Sequence, residues 1–308
     1  EVVYLRKGNK NFKIMANLDE IITNISTDAS YTQIKKELGI SYLGKVGQSM
    51  KMRLSVEHNV MTYCIYLAPS TMGGILPNGH QINVCPNSKY CKEFCLNGSG
   101  QNKCDELSRG VEGSLINRSR IKKSRLFYEY RKVFMKMMIH EIETARSRAK
   151  REGYGFSVRI NGTSDLSPLL FKDENGKNIL ELFDDVQFYD YTKVASRINL
   201  LEKYKNYDLC LSYNGHNWDE CKDFLDKGGK VAVVFMNQKM PSKFHGYKVI
   251  DANQYDMRYL DPNGCIMGLH YHTTASNYYI DKADGKRKYR YPNSDFVVMD
   301  SNEFIEWF

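Results

Sequence analysis

The chain has 308 residues, 42% of them hydrophobic, which is enough to bury a large core in one domain or two. Its 44 Lys and Arg against 36 Asp and Glu give a net charge of +8, a basic excess that favours an anionic partner without identifying it. No apolar run of about 18 residues is present, which excludes a membrane-spanning helix and a membrane as partner.

The first half of the chain contains one clear strand and one long helix. Residues 28–38 are predicted to form a helix closed by Gly39, and the aromatic and β-branched run at 59–70 predicts a buried strand. A glycine-bearing loop follows, and then a cysteine-rich loop at 83–104. From about residue 113 to 150, apolar residues recur at steps of three and four, which predicts a single long helix.

The second half changes to short apolar or aromatic runs separated by segments of helix length. The runs lie at 155–162, 186–192, 207–215, 230–236, 247–252 and 265–272. The helical segments lie at 178–184, 196–204 and 217–228. Strands that alternate with helices predict an α/β fold with a mainly parallel sheet. We expect an open or closed barrel-like arrangement of this sheet, with a doubly wound sheet as the alternative.

No linker or internal repeat interrupts this pattern, so we predict one α/β domain over residues 1–308. It would consist of a lead-in at 1–58, a core at 59–275 that includes the cysteine-rich loop, and a C-terminal extension at 276–308. The N-terminus lacks a signal-peptide core, which favours a cytoplasmic location.

Polar side chains follow each strand of the second half, and parallel strands bring their carboxyl ends to one edge of a sheet. From this pattern we predict three catalytic residues, Lys193, Asp190 and Asp165. The predicted substrate-binding residues are Arg159, Asn161, Tyr191, Ser212, Asn214, Asp251, Asp256 and Arg258, and Asn237 follows a further strand. Burial would lower the pKa of Lys193 and suit it to proton transfer. The alternatives are helix caps and turns for the set as a whole, and an ion pair with Asp190 for Lys193.

Four of the eight cysteines, Cys85, Cys91, Cys95 and Cys104, lie close together in the chain. Such a cluster without a secretory signal favours metal ligation or redox chemistry over disulfides. The gaps do not form the two tight pairs that are typical of structural zinc sites. Cys85, Cys91 and Cys95 suit three corners of a [4Fe–4S] cluster, with Cys104 as the fourth ligand or as a nearby thiol. A zinc ion held by all four thiolates is the alternative.

Radical S-adenosylmethionine enzymes carry a three-cysteine loop after the first strand of a barrel. Their C-x3-C-x2-C spacing is reduced here to the pair Cys91 and Cys95, and the Gly73-Gly74 pair precedes the cysteines instead of following them. S-adenosylmethionine is kept as a further candidate cofactor.

Seven segments, in order, resemble a family of bacteriophage and mobile-element proteins. They are YCIYLAPS (63–70), NVCPNSKYCKEFCLNGSG (83–100), RINGTSDLS (159–167), VQFYDYTKVASR (186–197), NYDLCLSYN (206–214), KVAVVF (230–235) and GYKVIDANQYDMRYLDPNGCIMGLHYH (246–272). The resemblance extends over about residues 40–275. It implies a phage-encoded protein in the host-cell cytoplasm and a distant kinship with iron–sulfur barrel enzymes.

We therefore expect an iron–sulfur enzyme that acts at the carboxyl edge of the sheet, with a nucleotide or nucleic acid as the candidate substrate class. The alternative is a nucleic-acid-binding protein with a structural zinc site, supported by basic residues at 118–132 and a basic, tyrosine-bearing segment at 282–295. A solvated helix face and a hairpin turn at Asp284-Gly285 explain the same features. A third hypothesis takes His80, His270 and His272 as ligands of a separate hydrolytic metal, against ordinary hydrogen-bonding roles.

Overall fold

The structure, a computed structural model, describes residues 30–236, 239–290 and 295–307. Asn237 and the predicted helix start at residues 28 and 29 therefore lie outside the described residues. Within the described ranges, no helix is both long enough and apolar enough to cross a membrane.

The N-terminal region confirms the first predicted helix and strand. Ser30 caps the helix in a capping box that Gln33 completes. Gly39 ends it with a φ of 59°, a left-handed conformation that glycine adopts without a steric penalty. The elements of this half are α1 (Tyr31–Leu38), β1 (Gly44–Val46), α2 (Met50–Leu54), β2 (Val60–Ile65) and α3 (Gly100–Arg109).

The predicted single long helix is wrong, because the structure has two helices in its place. α4 (Leu115–Glu129) ends at Tyr130, whose φ of −134° and ψ of 57° lie outside the helical region, and α5 (Arg131–Arg151) follows directly. Phe127 of α4 and Phe134 of α5 pack edge to face with their ring centroids 5.1 Å apart. Since both helices bury an apolar face in the same core, the periodicity continues through the break and hides it.

The predicted strands of the second half are confirmed. They are β3 (Gly155–Arg159), β4 (Gln187–Thr192), β5 (Tyr207–Ser212), β6 (Lys230–Phe235), β8 (Tyr247–Asp251) and β9 (Ile266–His270). The helices between them are α6 (Ile179–Leu182), α7 (Asn199–Lys203) and α8 (Trp218–Asp226). Shorter strands are β7 (Lys243–Phe244), β10 (Tyr278–Ile280), β11 (Arg287–Tyr289), β12 (Val297–Val298) and β13 (Ile305–Glu306).

Eleven strands of the described residues form one sheet in the order β1-β2-β3-β4-β5-β6-β9-β8-β7-β13, with β12 paired to β6. Neighbours from β2 to β8 along this order are parallel, whereas β1, β7 and β13 are antiparallel additions at the two ends. The mainly parallel sheet is thus confirmed. Strand order follows chain order from β1 to β6, without the central reversal of a doubly wound sheet.

The predicted closed form of the barrel is wrong, because the sheet remains open. The free edge of β2 pairs with β1 and that of β8 pairs with β7, so neither edge is available to the other. Side chains approach across the gap instead. Lys51 Nζ of α2 donates to the Ala252 carbonyl at 3.2 Å, and the rings of His58 and Tyr255 lie 4.6 Å apart.

The two faces of the sheet differ in what they bury. Phe188, Leu209 and Val231 belong to the main core beneath the helices. The intervening positions point to the opposite face, where Cys210 and Ala232 belong to a small second cluster. Right-handed connections between strands in chain order place their helices on one face, so the second face is free for polar side chains.

Candidate functional site

The cysteine-rich loop leaves β2 and lies over the carboxyl ends of β3 and β4. The backbone N–H of Asp165, which follows β3, donates to the Val84 carbonyl at 2.7 Å. Asn87 Nδ2 donates to the carbonyl of Lys193, which follows β4, at 3.0 Å. The loop is therefore held by groups that follow neighbouring parallel strands, at the edge where we expected the site.

Three of the four clustered cysteines share one environment, and the fourth does not. Cys85, Cys91 and Cys95 are partly buried in the loop, whereas Cys104 is exposed on α3. Burial raises the pKa of Cys85 to about 12 and also raises the pKa of Cys95, which interacts electrostatically with Cys91. Deprotonated thiols at these positions need a compensating cation.

Lys193 is a cation that interacts electrostatically with all three of these thiols. Burial opposes its charge, but its interactions with the three partly buried thiols and with Asp165 outweigh that cost, so its pKa is raised above the ordinary value. The expected lowering of this pKa is wrong for that reason. The alternative role of Lys193, an ion pair with Asp190, is also not observed among the described residues.

Asp165 is engaged by another partner. Its Oδ1 accepts hydrogen bonds from Arg197 at 2.5 Å and from the Thr192 hydroxyl at 2.8 Å, and its Oδ2 accepts from the backbone N–H of Lys193 at 2.9 Å. Arg197 also donates to the Asp165 carbonyl at 2.8 Å. We did not predict Arg197, because an arginine in the short 3-10 helix Ala195–Ile198, 32 residues from Asp165, carries no local signal of this pairing. Asp165 therefore divides its negative charge between Arg197 and Lys193.

Asp190 is hydrogen-bonded to the turn at residues 161–166, which carries Asp165. Its carboxylate accepts from the backbone N–H and the side-chain amide of Asn161, both at 3.0 Å. Burial raises its pKa to about 7. Asn161 in turn accepts from the Ser164 hydroxyl at 2.8 Å and from the Leu166 N–H at 2.9 Å. The network fixes the turn that carries Asp165, while a catalytic role for Asp190 stays a prediction.

Other predicted residues meet on the second face of the sheet. Arg159, at the end of β3, forms an ion pair with Asp256 at 2.6 Å, and Tyr189 donates to the same carboxylate at 3.3 Å. The Arg159 guanidinium also lies 4.7 Å from the centroid of the Tyr191 ring. The segment after β8 thus returns across this face to reach β3, which lies five strands away in the sheet.

Lys51 and Arg258 complete this group. Arg258 is fully buried and donates to the Tyr255 carbonyl at 2.5 Å. Burial lowers the pKa of Lys51 to about 8; Asp256 offsets part of this effect, and Arg258 and Arg159 add to it. Lys51 was missed because it lies in the lead-in, 201 residues from its hydrogen-bond partner Ala252.

Three of the predicted substrate-binding residues have local roles. The Ser212 carbonyl accepts from Asn217 at 3.2 Å, and the Asn214 N–H donates to the same side chain at 2.8 Å. The Asp251 carboxylate accepts from the Asn253 N–H at 3.0 Å. These contacts are those of turns, one of the alternatives that the sequence left open.

Several basic side chains of the predicted basic face on α4 and α5 make contacts within the protein. Lys123 donates to the Leu43 carbonyl at 2.8 Å, and Arg125 pairs with Glu129 at 2.6 Å. Arg131 lies 3.7 Å from the centroid of the Phe127 ring. These side chains are therefore neither a solvated face nor free phosphate-binding groups.

Metal ligation is not shown by the arrangement of the side chains. Among the described residues, no group of three or more His, Cys, Asp or Glu side chains is placed to hold a metal ion. Ligation by Cys85, Cys91, Cys95 and Cys104 therefore stays a prediction. The hypothesis of a separate metal site at His80, His270 and His272 gains no support either.

Fold and site together define an α/β protein with its candidate site on the loops at the carboxyl edge of an open parallel sheet. Residues 31–290 match the family described as Gene product 88, and the chain belongs to this family. The match extends over the cysteine-rich loop and every parallel strand from β2 to β9. No curated protein and no solved structure matches the chain. These comparisons are consistent with the phage-type resemblance, and they add no support for kinship with iron–sulfur enzymes.

Proposed function

We propose that this protein is an iron–sulfur enzyme whose cluster is bound by Cys85, Cys91 and Cys95. The observation that carries the proposal is the position of these three partly buried thiols on one loop that is hydrogen-bonded to residues 165 and 193 at the carboxyl edge of the sheet, where all three interact electrostatically with Lys193. Thiolates are the preferred ligands of iron in such clusters. A cysteine-rich loop between neighbouring strand ends is also where an α/β protein places its functional groups.

The charge of Lys193 supports this assignment. Lys193 is partly buried, so nearby negative charge stabilises its ammonium group, and Asp165 already pairs with Arg197 at 2.5 Å. Neutral thiols would give Lys193 little compensation. Thiolates that bind a cluster would supply the missing negative charge, and Lys193 would in turn favour their deprotonated state.

The exposed position of Cys104 favours three protein ligands over four. A cluster bound by three thiolates keeps one iron open to a further ligand, and S-adenosylmethionine is the candidate for it. Such a cluster would supply electrons to the reaction. In this proposal, Arg159, Asp256 and Arg258 bind the substrate. Lys193, Asp190 and Asp165 are the catalytic residues beside the cluster. A host-cell cytoplasmic location belongs to the same proposal.

A nucleic-acid-binding protein with a structural zinc site is the second candidate. The observation that favours it is the hairpin of β10 and β11, which exposes Lys282, Lys286, Arg287 and Tyr279 together. Basic groups neutralise phosphates and an exposed tyrosine can stack on a base. The turn at Asp284-Gly285 that we expected is present, and Lys288 pairs with Asp281 and Asp284 across it.

The test is anaerobic reconstitution with iron and sulfide, followed by iron analysis of matched variants. We expect C91A and C95A to lose the cluster and C104A to keep it, because only the first two remove thiols that face Lys193. Full iron content in C91A or C95A would overturn the ligand assignment. One zinc per chain and salt-dependent binding to single-stranded DNA would favour the second candidate instead.

A further inference from the structure

The charged group on the second face of the sheet carries more positive than negative charge. Lys51, Arg159 and Arg258 come together there from distant parts of the chain. Asp256 and Asp261 are the buried carboxylates that face them. Three cations thus face two buried carboxylates and the exposed carboxylate of Asp251, so the excess of one positive charge holds for the buried groups.

The hydrogen bonds of the two arginines are also incomplete. Arg159 uses Nη1 for Asp256 at 2.6 Å, but its buried Nε has no hydrogen-bond partner within the described residues. Arg258 is fully buried, and its Nε and Nη1 lack such partners as well. Nη1 lies 3.1 Å from Asp261, close enough for an ion pair but without the geometry of a hydrogen bond. Asp261 Oδ2 also lacks a hydrogen-bond partner, so a small rearrangement would satisfy it and Nη1 together. A buried N–H group left unsatisfied costs about 1–3 kcal/mol, so the Nε–H groups of Arg159 and Arg258 are the donors that still need an acceptor.

The group can be reached from one side. Lys51, Arg159 and Tyr191 are partly exposed, while Arg258 lies behind them. Asp251, the last residue of β8, and His272, in the segment after β9, interact electrostatically with Lys51 at the rim. Asp251 Oδ1 accepts two hydrogen bonds from Asn253, and because the residue is exposed, solvent screens its attraction for Lys51.

We propose that Lys51, Arg159 and Arg258 bind the oxyanion group of a small ligand, either a carboxylate or a phosphate monoester. Planar guanidinium groups match the geometry of both oxyanions, and the lysine adds a point charge at the opening. Asp256 holds Arg159 in position, and its negative charge disfavours the binding of highly charged polyanions to these three cations. This inference rests on the proposed function only in taking the second face as the substrate side, and it adds Lys51 and the chemical class of the ligand.

The test measures how fast the amine of Lys51 is acylated, by brief treatment with acetic anhydride at pH 8 and peptide mass spectrometry. Inorganic phosphate and acetate are the two probes, each compared with sodium chloride at equal ionic strength. We expect one or both probes to slow acylation of Lys51 at least fivefold and to leave the exposed Lys36 unchanged. The probe that protects identifies the class of oxyanion. Equal rates at Lys51 with either probe and with chloride would overturn the proposal and assign the unpaired N–H groups to water.

Two variants keep the result independent of folding and of the cluster. Isothermal calorimetry with the protecting probe should show at least tenfold weaker binding to K51Q than to the wild type, with K36Q unchanged. Lys51 is partly exposed, so K51Q should fold even if a change at the buried Arg258 would not. The same acylation experiment on C95A separates the two proposals, because protection of Lys51 in a cluster-free protein would support the oxyanion site alone. Unchanged binding in K51Q would contradict the assignment of Lys51.

Discussion

The two lysines of the candidate site, Lys193 and Lys51, have opposite electrostatic environments. Lys193 faces three thiols and a carboxylate, and these interactions raise its pKa despite burial. Lys51 faces two arginines besides Asp256, and burial lowers its pKa to about 8. The first environment holds thiols that become anionic when they bind a metal cation, whereas the second holds excess cation and suits an anionic ligand. The difference shows how one residue type can serve two kinds of site on the same sheet.

The largest effect that we expect comes from breaking the charge balance of the second face. D256A should lower the free energy of unfolding by about 3–5 kcal/mol, because it leaves Arg159 buried without its partner. Urea denaturation followed by circular dichroism measures this change. The matched control is D185A, which removes the exposed partner of Arg146 and should have a much smaller effect. Equal losses in both variants would show that the second face is not a coupled charged group.

A smaller effect is expected from removing the cation at the thiols. K193M should weaken iron incorporation about tenfold, which corresponds to roughly 1.4 kcal/mol of lost attraction for thiolates. Titration of the metal-free protein with iron and sulfide, followed by absorption, gives the occupancy. K203M removes an exposed lysine on α7 and should bind iron as the wild type does. If the two variants bind iron equally, Lys193 does not stabilise the thiolates.

The smallest effect concerns the pH dependence that Lys51 imposes on stability. Its pKa is about 8 in the folded protein and 10.5 when unperturbed, so between these values the unfolded chain binds more protons. Stability should therefore rise with pH from about 8 to 10.5, and this contribution should be lost as the pH falls through 8. Relative to K51M, the wild type should gain about 1 kcal/mol over this range, after allowance for partial exposure. Parallel pH profiles of the two proteins, measured by urea denaturation, would contradict the assigned environment of Lys51.

Local sequence patterns predicted the strands well because each buried run ends in polar residues where the strand ends. Whether the barrel closes depends on which strand pairs with the free edge of β8. The strand that does so, β7, has only two residues, and a pattern of two residues does not predict a strand. The break at Tyr130 was hidden because apolar residues continue on both sides of it.

The sequence predicted those parts of the candidate site whose residues lie close together both in the chain and in space. Cys85, Cys91 and Cys95 lie within one loop, so their grouping follows from their spacing. Cys104 differs because α3 begins at Gly100 and carries it into solvent. Lys51 and Arg197 reach the site only through the tertiary fold, and no local pattern distinguishes them from ordinary surface residues.

The most direct test of the proposed cluster is iron and sulfide analysis, with an absorption spectrum, of wild-type protein purified without oxygen. We predict a brown protein with about four iron and four sulfide per chain and broad thiolate-to-iron absorption. A colourless protein without iron, with Cys85, Cys91 and Cys95 all free to react with a thiol reagent, would contradict the account.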